Sequence, residues 1–305
     1  MIKFLLLPLL CCCFCTSSFA KNAELANQLD EQCKSGFSFA CLKLGSMYYS
    51  GKGIDLNYQK SASLYDKACS GGDLTGCALL GLMHEDGLTG KQDLKTSFEL
   101  YKKSCNGGIN FGCHSLANSY LEGSLVKKDL KEAHKYFSKA CNGGLASSCF
   151  EVGNNFALGR GVKKSTPQAI SFYDKACDLS ESRGCLKNGV IFMQGDNVKQ
   201  NYAKAHDYFK KACAGGAEDG CLFLGAFYQY GLGVEINHNQ AISYYWKACS
   251  ANTALGCQFL GDIFLKKENV DLNKAKYFYK RACNLADTVS CERLGKLNLD
   301  EKQQK

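Results

Sequence analysis

Cysteine spacing restricts the fold of this chain more than any other property. Four of its 20 cysteines, Cys11, Cys12, Cys13 and Cys15, sit near the start. The rest fall into eight pairs: Cys33 and Cys41, Cys69 and Cys77, Cys105 and Cys113, Cys141 and Cys149, Cys177 and Cys185, Cys213 and Cys221, Cys249 and Cys257, Cys283 and Cys291. Partners stand 8 residues apart, and successive pairs start 36 residues apart, except for a last step of 34. A fixed period between about 20 and 50 residues is the mark of a stacked array of identical supersecondary units.

Alignment on the first cysteine of each pair gives every column a job. Twelve residues earlier stand Asn57, Asp93, Asp129, Ser165, Asn201, Asn237 and Asp271. All are helix N-caps, whose side-chain oxygen accepts from free amides of the first turn. Apolar pairs such as Leu64-Tyr65, Tyr136-Phe137 and Phe278-Tyr279 follow, then a cation and a small residue, as in Lys67-Ala68, Lys139-Ala140 and Arg281-Ala282. A cation in the last turn complements the helix dipole. Gly71-Gly72, Gly107-Gly108, Gly143-Gly144 and Gly215-Gly216 can take the positive φ that ends a helix. This segment, helix B, is expected to end at the first cysteine.

The second cysteine is expected to open the next segment, helix A. Three and four residues on lie an apolar and a small residue, as in Leu44-Gly45, Leu80-Gly81, Leu116-Ala117, Val152-Gly153 and Leu260-Gly261, with Asn188-Gly189 in one repeat. Seven on comes Tyr48, His84, Tyr120, Phe156, Phe192, Tyr228 or Phe264. Spacings of three, four and seven mark one helical face. A mid-helix glycine costs about 1 kcal/mol against alanine, so its recurrence implies that another helix backbone packs close there. Ile54, Val126, Val162, Val198 and Val234 recur in the following turn and are expected to plug the joint.

An antiparallel hairpin brings the end of helix B beside the start of the next helix A. Pairing the cysteines 8 apart uses all of them, whereas pairing within a repeat, as Cys41 with Cys69, strands Cys33 and Cys291. Structural zinc sites use two to four intervening residues, so neither metal nor any cofactor is expected.

The start of the chain is consistent with disulfides. Lys3, an apolar run from Ile2 through Leu10 to Phe14, and Ser18-Phe19-Ala20 read as a secretory signal over residues 1–20, cleaved after Ala20. Export delivers the chain to an oxidising compartment, periplasmic or extracellular, as a single array over 21–305 with half-repeats at 22–33 and 287–299. No other stretch is long enough to cross a membrane. The formal charge is +8, from 37 basic and 29 acidic residues, and does not point to nucleic acid.

The repeat, read as Cys-x-x-Leu-Gly-x-x-Tyr-x-x-Gly-x-Gly-Val, a cap, then Tyr-x-Lys-Ala-Cys, resembles the Sel1-like repeat, a relative of the tetratricopeptide repeat. The paired cysteines resemble the Helicobacter cysteine-rich protein family specifically. This resemblance spans residues 22–299. It implies an all-α, right-handed superhelical solenoid of about seven 36-residue repeats, each hairpin clamped by a disulfide. It also implies β-lactam binding or weak β-lactam hydrolysis, described for members of that family. The residues support catalysis little. Ser124 and Lys127 form a Ser-x-x-Lys match in a turn, but the Ser-Asp-Asn and Lys-Thr-Gly elements are missing. His84, His114, His134, His206 and His238 are scattered over different repeats.

In such superhelices helix A lines the concave face. Positions two, five and nine after the second cysteine form one stripe and vary between repeats. The candidate groove residues are Ser115, Asn118 and Glu122, Glu151 and Asn154, Lys187, and an aromatic patch of Phe223, Tyr230 and Phe259. Asn118 and Asn154 occupy equivalent positions and can pair with a peptide backbone, amide to amide. The expected ligand is a peptide, a protein or a cell-wall fragment, bound by a monomer.

Overall fold

The computed structural model describes residues 12–124, 126–266 and 270–303, with side chains between 22 and 299. The expected signal at 1–20 therefore lies mostly outside the described residues. The described elements are sixteen α-helices, and none is long and apolar enough to cross a membrane.

The chain divides into two compact units, residues 1–145 and 146–305. The first holds α1 (Cys12–Lys34), α2 (Ser38–Ser50), α3 (Tyr58–Ser70), α4 (Leu74–Glu85), α5 (Leu94–Asn106), α6 (Asn110–Glu122) and α7 (Leu130–Asn142). The second holds α8 (Ala146–Leu158), α9 (Thr166–Asp178), α10 (Ser182–Gln194), α11 (Tyr202–Ala214), α12 (Glu218–Tyr230), α13 (His238–Ser250), α14 (Ala254–Phe264), α15 (Leu272–Asn284) and α16 (Thr288–Gln303). Within each unit every helix packs on the next in sequence. Odd-numbered helices are B segments and even-numbered ones A segments.

All seven expected N-caps accept from first-turn amides; Asp129 takes two, from Lys131 and Glu132. Helix boundaries differ slightly from expectation. The A helices open three residues before their cysteine, at Ser38, Leu74 or Asn110, and the B helices run one residue past theirs. Within the units disulfides close the hairpins, with Cα–Cα distances from 4.4 to 4.8 Å. Such proximity needs a small residue just before the second cysteine. A Cβ on Gly184 would stand 2.6 Å from the Tyr173 carbonyl oxygen, and one on Gly256 2.7 Å from the Cys249 nitrogen. Ala40, Ser148 and Ser290 fill the same column and are buried. Here, and not four residues after the cysteine, helix backbones approach closely.

The later glycine column has another cause, which corrects the sequence reading. Gly45, Gly81, Gly153, Gly189 and Gly261 each lie under the ring of the following B helix: Tyr65, Tyr101, Tyr173, Phe209 and Tyr279. These rings are at most 2% exposed. Beside them runs a second aromatic line, in which the A-helix ring stacks on the B-helix ring. Tyr120–Tyr136, Phe192–Tyr208, Tyr228–Tyr244 and Phe264–Phe278 all lie at centroid distances of 5.7 Å and within 7° of parallel.

The last-turn lysines also do more than complement their own helix. Lys139 donates to the Cys105 carbonyl at 2.8 Å, and Lys103 points at the Cys69 sulfur. Lys139 thereby satisfies a carbonyl at the C-terminus of the preceding B helix, one repeat away.

Candidate ligand-binding face

Each A helix presents a stripe whose character depends on the B helix that follows. The buried tyrosines reach across it with their hydroxyls. Tyr65 donates to Ser46 at 3.1 Å, Tyr173 to Asn154 at 2.8 Å and Tyr279 to Asp262 at 2.5 Å, all at the fifth position after the cysteine. Where that position is apolar, as at Leu82 and Ala226, the hydroxyl finds a residue three further on: Tyr101 donates to Glu85 at 2.5 Å and Tyr245 to Gln229 at 2.7 Å. Burial pushes all five phenols up, Tyr173 to about 12. They remain neutral donors at any physiological pH, so these stripe residues are tied down permanently. Glu85 and Gln229 were missed by the sequence reading. The available signal was a polar residue at the eighth position wherever the fifth is apolar and a tyrosine follows.

Two B helices carry phenylalanine instead, Phe137 and Phe209. Phe137 has no hydroxyl to offer, so Asn118 is half-buried with an amide that has no protein partner among the described residues. Asn154, in the second unit, is engaged on both sides: its carbonyl accepts from Tyr173 and its Nδ2 donates to Glu151 at 3.2 Å. The two asparagines, equivalent by register, thus differ in what they can offer. Asn118 has a whole amide available, Asn154 one N–H.

The other expected groove residues divide in the same way. Glu122, Lys187 and Tyr230 are exposed. Ser115 is buried among the polar surroundings of Tyr101, which withdraws it from the groove. Phe223 stacks on Phe209 at 4.4 Å and Phe259 leans on Tyr245 at 5.0 Å, both half-buried. They cover the inner ring column, so of the expected aromatic patch Tyr230 alone projects, 64% exposed. Ser124 and Lys127 are both exposed in the turn between α6 and α7, where water reaches them freely, and nothing among the described residues assembles a hydrolytic site around them. Among the described residues no cluster of His, Cys, Asp or Glu could hold a metal.

Comparison with known proteins agrees with this architecture. The family model described as the Sel1 repeat matches residues 38–73, 75–109, 111–145, 146–181, 183–216, 219–253 and 250–287. A protective antigen of uropathogenic Escherichia coli displaying an SLR fold is similar at a TM-score of 0.80 and 25% identity, over 89% of this chain. The chain spans 59% of that antigen's length. A Sel1 repeat protein from Oxalobacter formigenes is similar at a TM-score of 0.69 and 26% identity, over 80% of this chain and 99% of that one. Cysteine rich protein B of Helicobacter pylori is 34% identical over 45% of this chain and 99% of its own, at a TM-score of 0.37. A search of the curated proteins found no match.

Proposed function

The chain belongs to the Sel1 repeat family, and from that premise we propose that it is an exported binding protein whose A-helix stripe captures a peptide, a protein tail or a cell-wall fragment. The disulfides indicate an oxidising, non-cytoplasmic location. Export through residues 1–20, action as a monomer, and a Cys141–Cys149 disulfide complete the proposal.

One observation carries the binding role. Among the described residues nothing claims the half-buried amide of Asn118, one helical turn from the exposed carboxylate of Glu122. The residues at the same position of the two preceding A helices are tied to a tyrosine, as Ser46 is, or apolar, as Leu82 is. A half-buried amide gains from a partner that meets both its donor and its acceptor, and an extended peptide backbone presents that pair. The mixed charges of the first unit's stripe, Lys43, Asp86 and Glu122, would select among peptide sequences.

A random dodecapeptide library panned against the disulfide-intact chain tests this. Enriched peptides should lose about tenfold or more in affinity for Asn118→Ala, as for loss of a buried hydrogen-bonding pair, and keep their affinity for Lys131→Ala. No enrichment, or peptides that bind both variants equally, would remove the stripe as the binding surface.

A further inference from the structure

A second surface in the 146–305 unit departs from the repeat pattern in a way the stripe does not explain. Three residues before the first cysteine, on each B helix from α3 to α11, stand Asp66, Lys102, Ser138, Asp174 and Lys210. In α13 the residue there is Trp246, the chain's one tryptophan. Six before the cysteine the column reads Ser63, Glu99, Lys135, Ser171, Asp207 and Ser243, and then in α15 Tyr277. Two columns that are polar everywhere else in α3 to α13 turn aromatic on facing helices, and both side chains remain about half exposed, Trp246 at 45% and Tyr277 at 54%.

Between them runs a groove of about 510 Å³. Its floor is Ile242, Leu260, Phe264 and Phe278, with Trp246 and Tyr277 as walls. Both wall rings stand edge-on to Phe278, at 5.6 and 5.1 Å between centroids. This makes the walls rigid before anything binds. The register-equivalent groove in the first unit, over Leu44 and Tyr48, is smaller, about 290 Å³, and is lined by Asn27, Asp30, Lys60 and Lys67. The equivalent joint is therefore a wet notch in one unit and a greasy slot in the other.

The helix that carries one wall of the slot is cationic. The residues Leu272–Asn284 of α15 include Lys274, Lys276, Lys280 and Arg281 and no carboxylate. Lys274 lines the groove itself, held by Asp271 at 3.0 Å and lying over the Phe264 ring. We propose that this groove is a docking site for an acidic peptide segment, which inserts a leucine- or phenylalanine-sized side chain between Trp246 and Tyr277 and sets flanking carboxylates against the α15 lysines. Its concave shape suits an inserted side chain better than a flat bilayer surface, and its mostly apolar lining suits a hydrocarbon group better than a sugar. Tryptophan and tyrosine are over-represented among the residues that anchor a partner, and a cationic helix beside them selects for acidic flanks. The inference stands independently of the A-helix stripe.

Trp246 supplies the readout. The full chain is titrated with the blocked hexapeptide Glu-Glu-Leu-Phe-Glu-Glu and with its lysine counterpart, following tryptophan emission. The acidic peptide should produce a saturable shift and bind at least about tenfold tighter than the lysine peptide, with affinity falling as salt rises. Tyr277→Ser, checked for native circular dichroism, should weaken it about tenfold or more, while Asn118→Ala leaves it unchanged. Equal affinity for both peptides would overturn the proposal, as would full affinity in Tyr277→Ser. So would binding to phosphatidylglycerol vesicles without peptide binding, or a self-association in sedimentation that Tyr277→Ser abolishes.

Discussion

Substituting alanine for Gly153 separates two opposed effects of a mid-helix glycine. On an isolated helix the change is favourable by about 1 kcal/mol, because glycine loses more backbone freedom on folding. In α8 it is not isolated. A Cβ there would stand 2.6 Å from both Cδ1 and Cε1 of Tyr173, closer than carbon atoms tolerate. The ring is 2% exposed and its hydroxyl is fixed to Asn154, so it cannot swing aside without breaking that bond. Overpacking of this kind costs about 1–3 kcal/mol, and the lost hydrogen bond about 1 kcal/mol more. Set against the propensity gain, Gly153→Ala should destabilise by about 1–3 kcal/mol. Gly295 is the control. It occupies the same column in α16, but no heavy atom lies within 4 Å of the added Cβ. Gly295→Ala should therefore stabilise by up to about 1 kcal/mol. Urea denaturation with disulfides intact, followed by far-ultraviolet circular dichroism, measures both. Array proteins can melt in stages, so the comparison is between transition midpoints of otherwise superimposable curves. If Gly153→Ala matched or exceeded the parent, or if the two glycines responded alike, the assignment of this column to ring packing would be wrong.

Other consequences follow from the same contacts. Replacing Cys249 and Cys257 together by serine should cost about 2.5 kcal/mol, the entropy of a loop closed at a sequence separation of 8, read as a lower urea midpoint. The buried phenols make stability pH-dependent at the alkaline end. The folded state holds Tyr173 near 12 while an unfolded tyrosine titrates near 10, so its contribution is complete below about pH 10 and lost as pH rises towards 12. Melting temperature should fall over that window, less steeply in Tyr173→Phe, and tyrosinate absorbance appearing in the folded chain with an ordinary midpoint for every tyrosine would refute this. Nitrocefin should be left intact by the parent chain and by Ser124→Ala alike; turnover that the substitution abolishes would establish a hydrolytic serine in an exposed turn.

Much of the architecture was legible because its causes are local. An N-cap is a contact across two or three residues, a disulfide hairpin here spans 8, and helical periodicity needs only a dozen. The column of glycines was legible as a constraint, but its cause was not. The atoms that need the space come from a ring twenty residues on, and a period cannot say whether a backbone or a side chain arrives. Ser115 and Phe223 were misplaced on the open face for a similar reason. Helical spacing assigns them to the stripe, while the preceding helix brings Tyr101 and Phe209 against them.

The repeat length, the helix pairs, the caps and the cysteine pairing followed from the sequence by itself, since each depends on residues that meet whatever the rest of the chain does. Tertiary structure alone decided which stripe residues are available. Asn118 and Asn154 share a column and a residue type, yet one is unclaimed and the other tied, because Phe137 follows the first and Tyr173 the second. One phenolic oxygen, carried by a different helix, makes that difference. Only a packed hairpin brings it within hydrogen-bonding range.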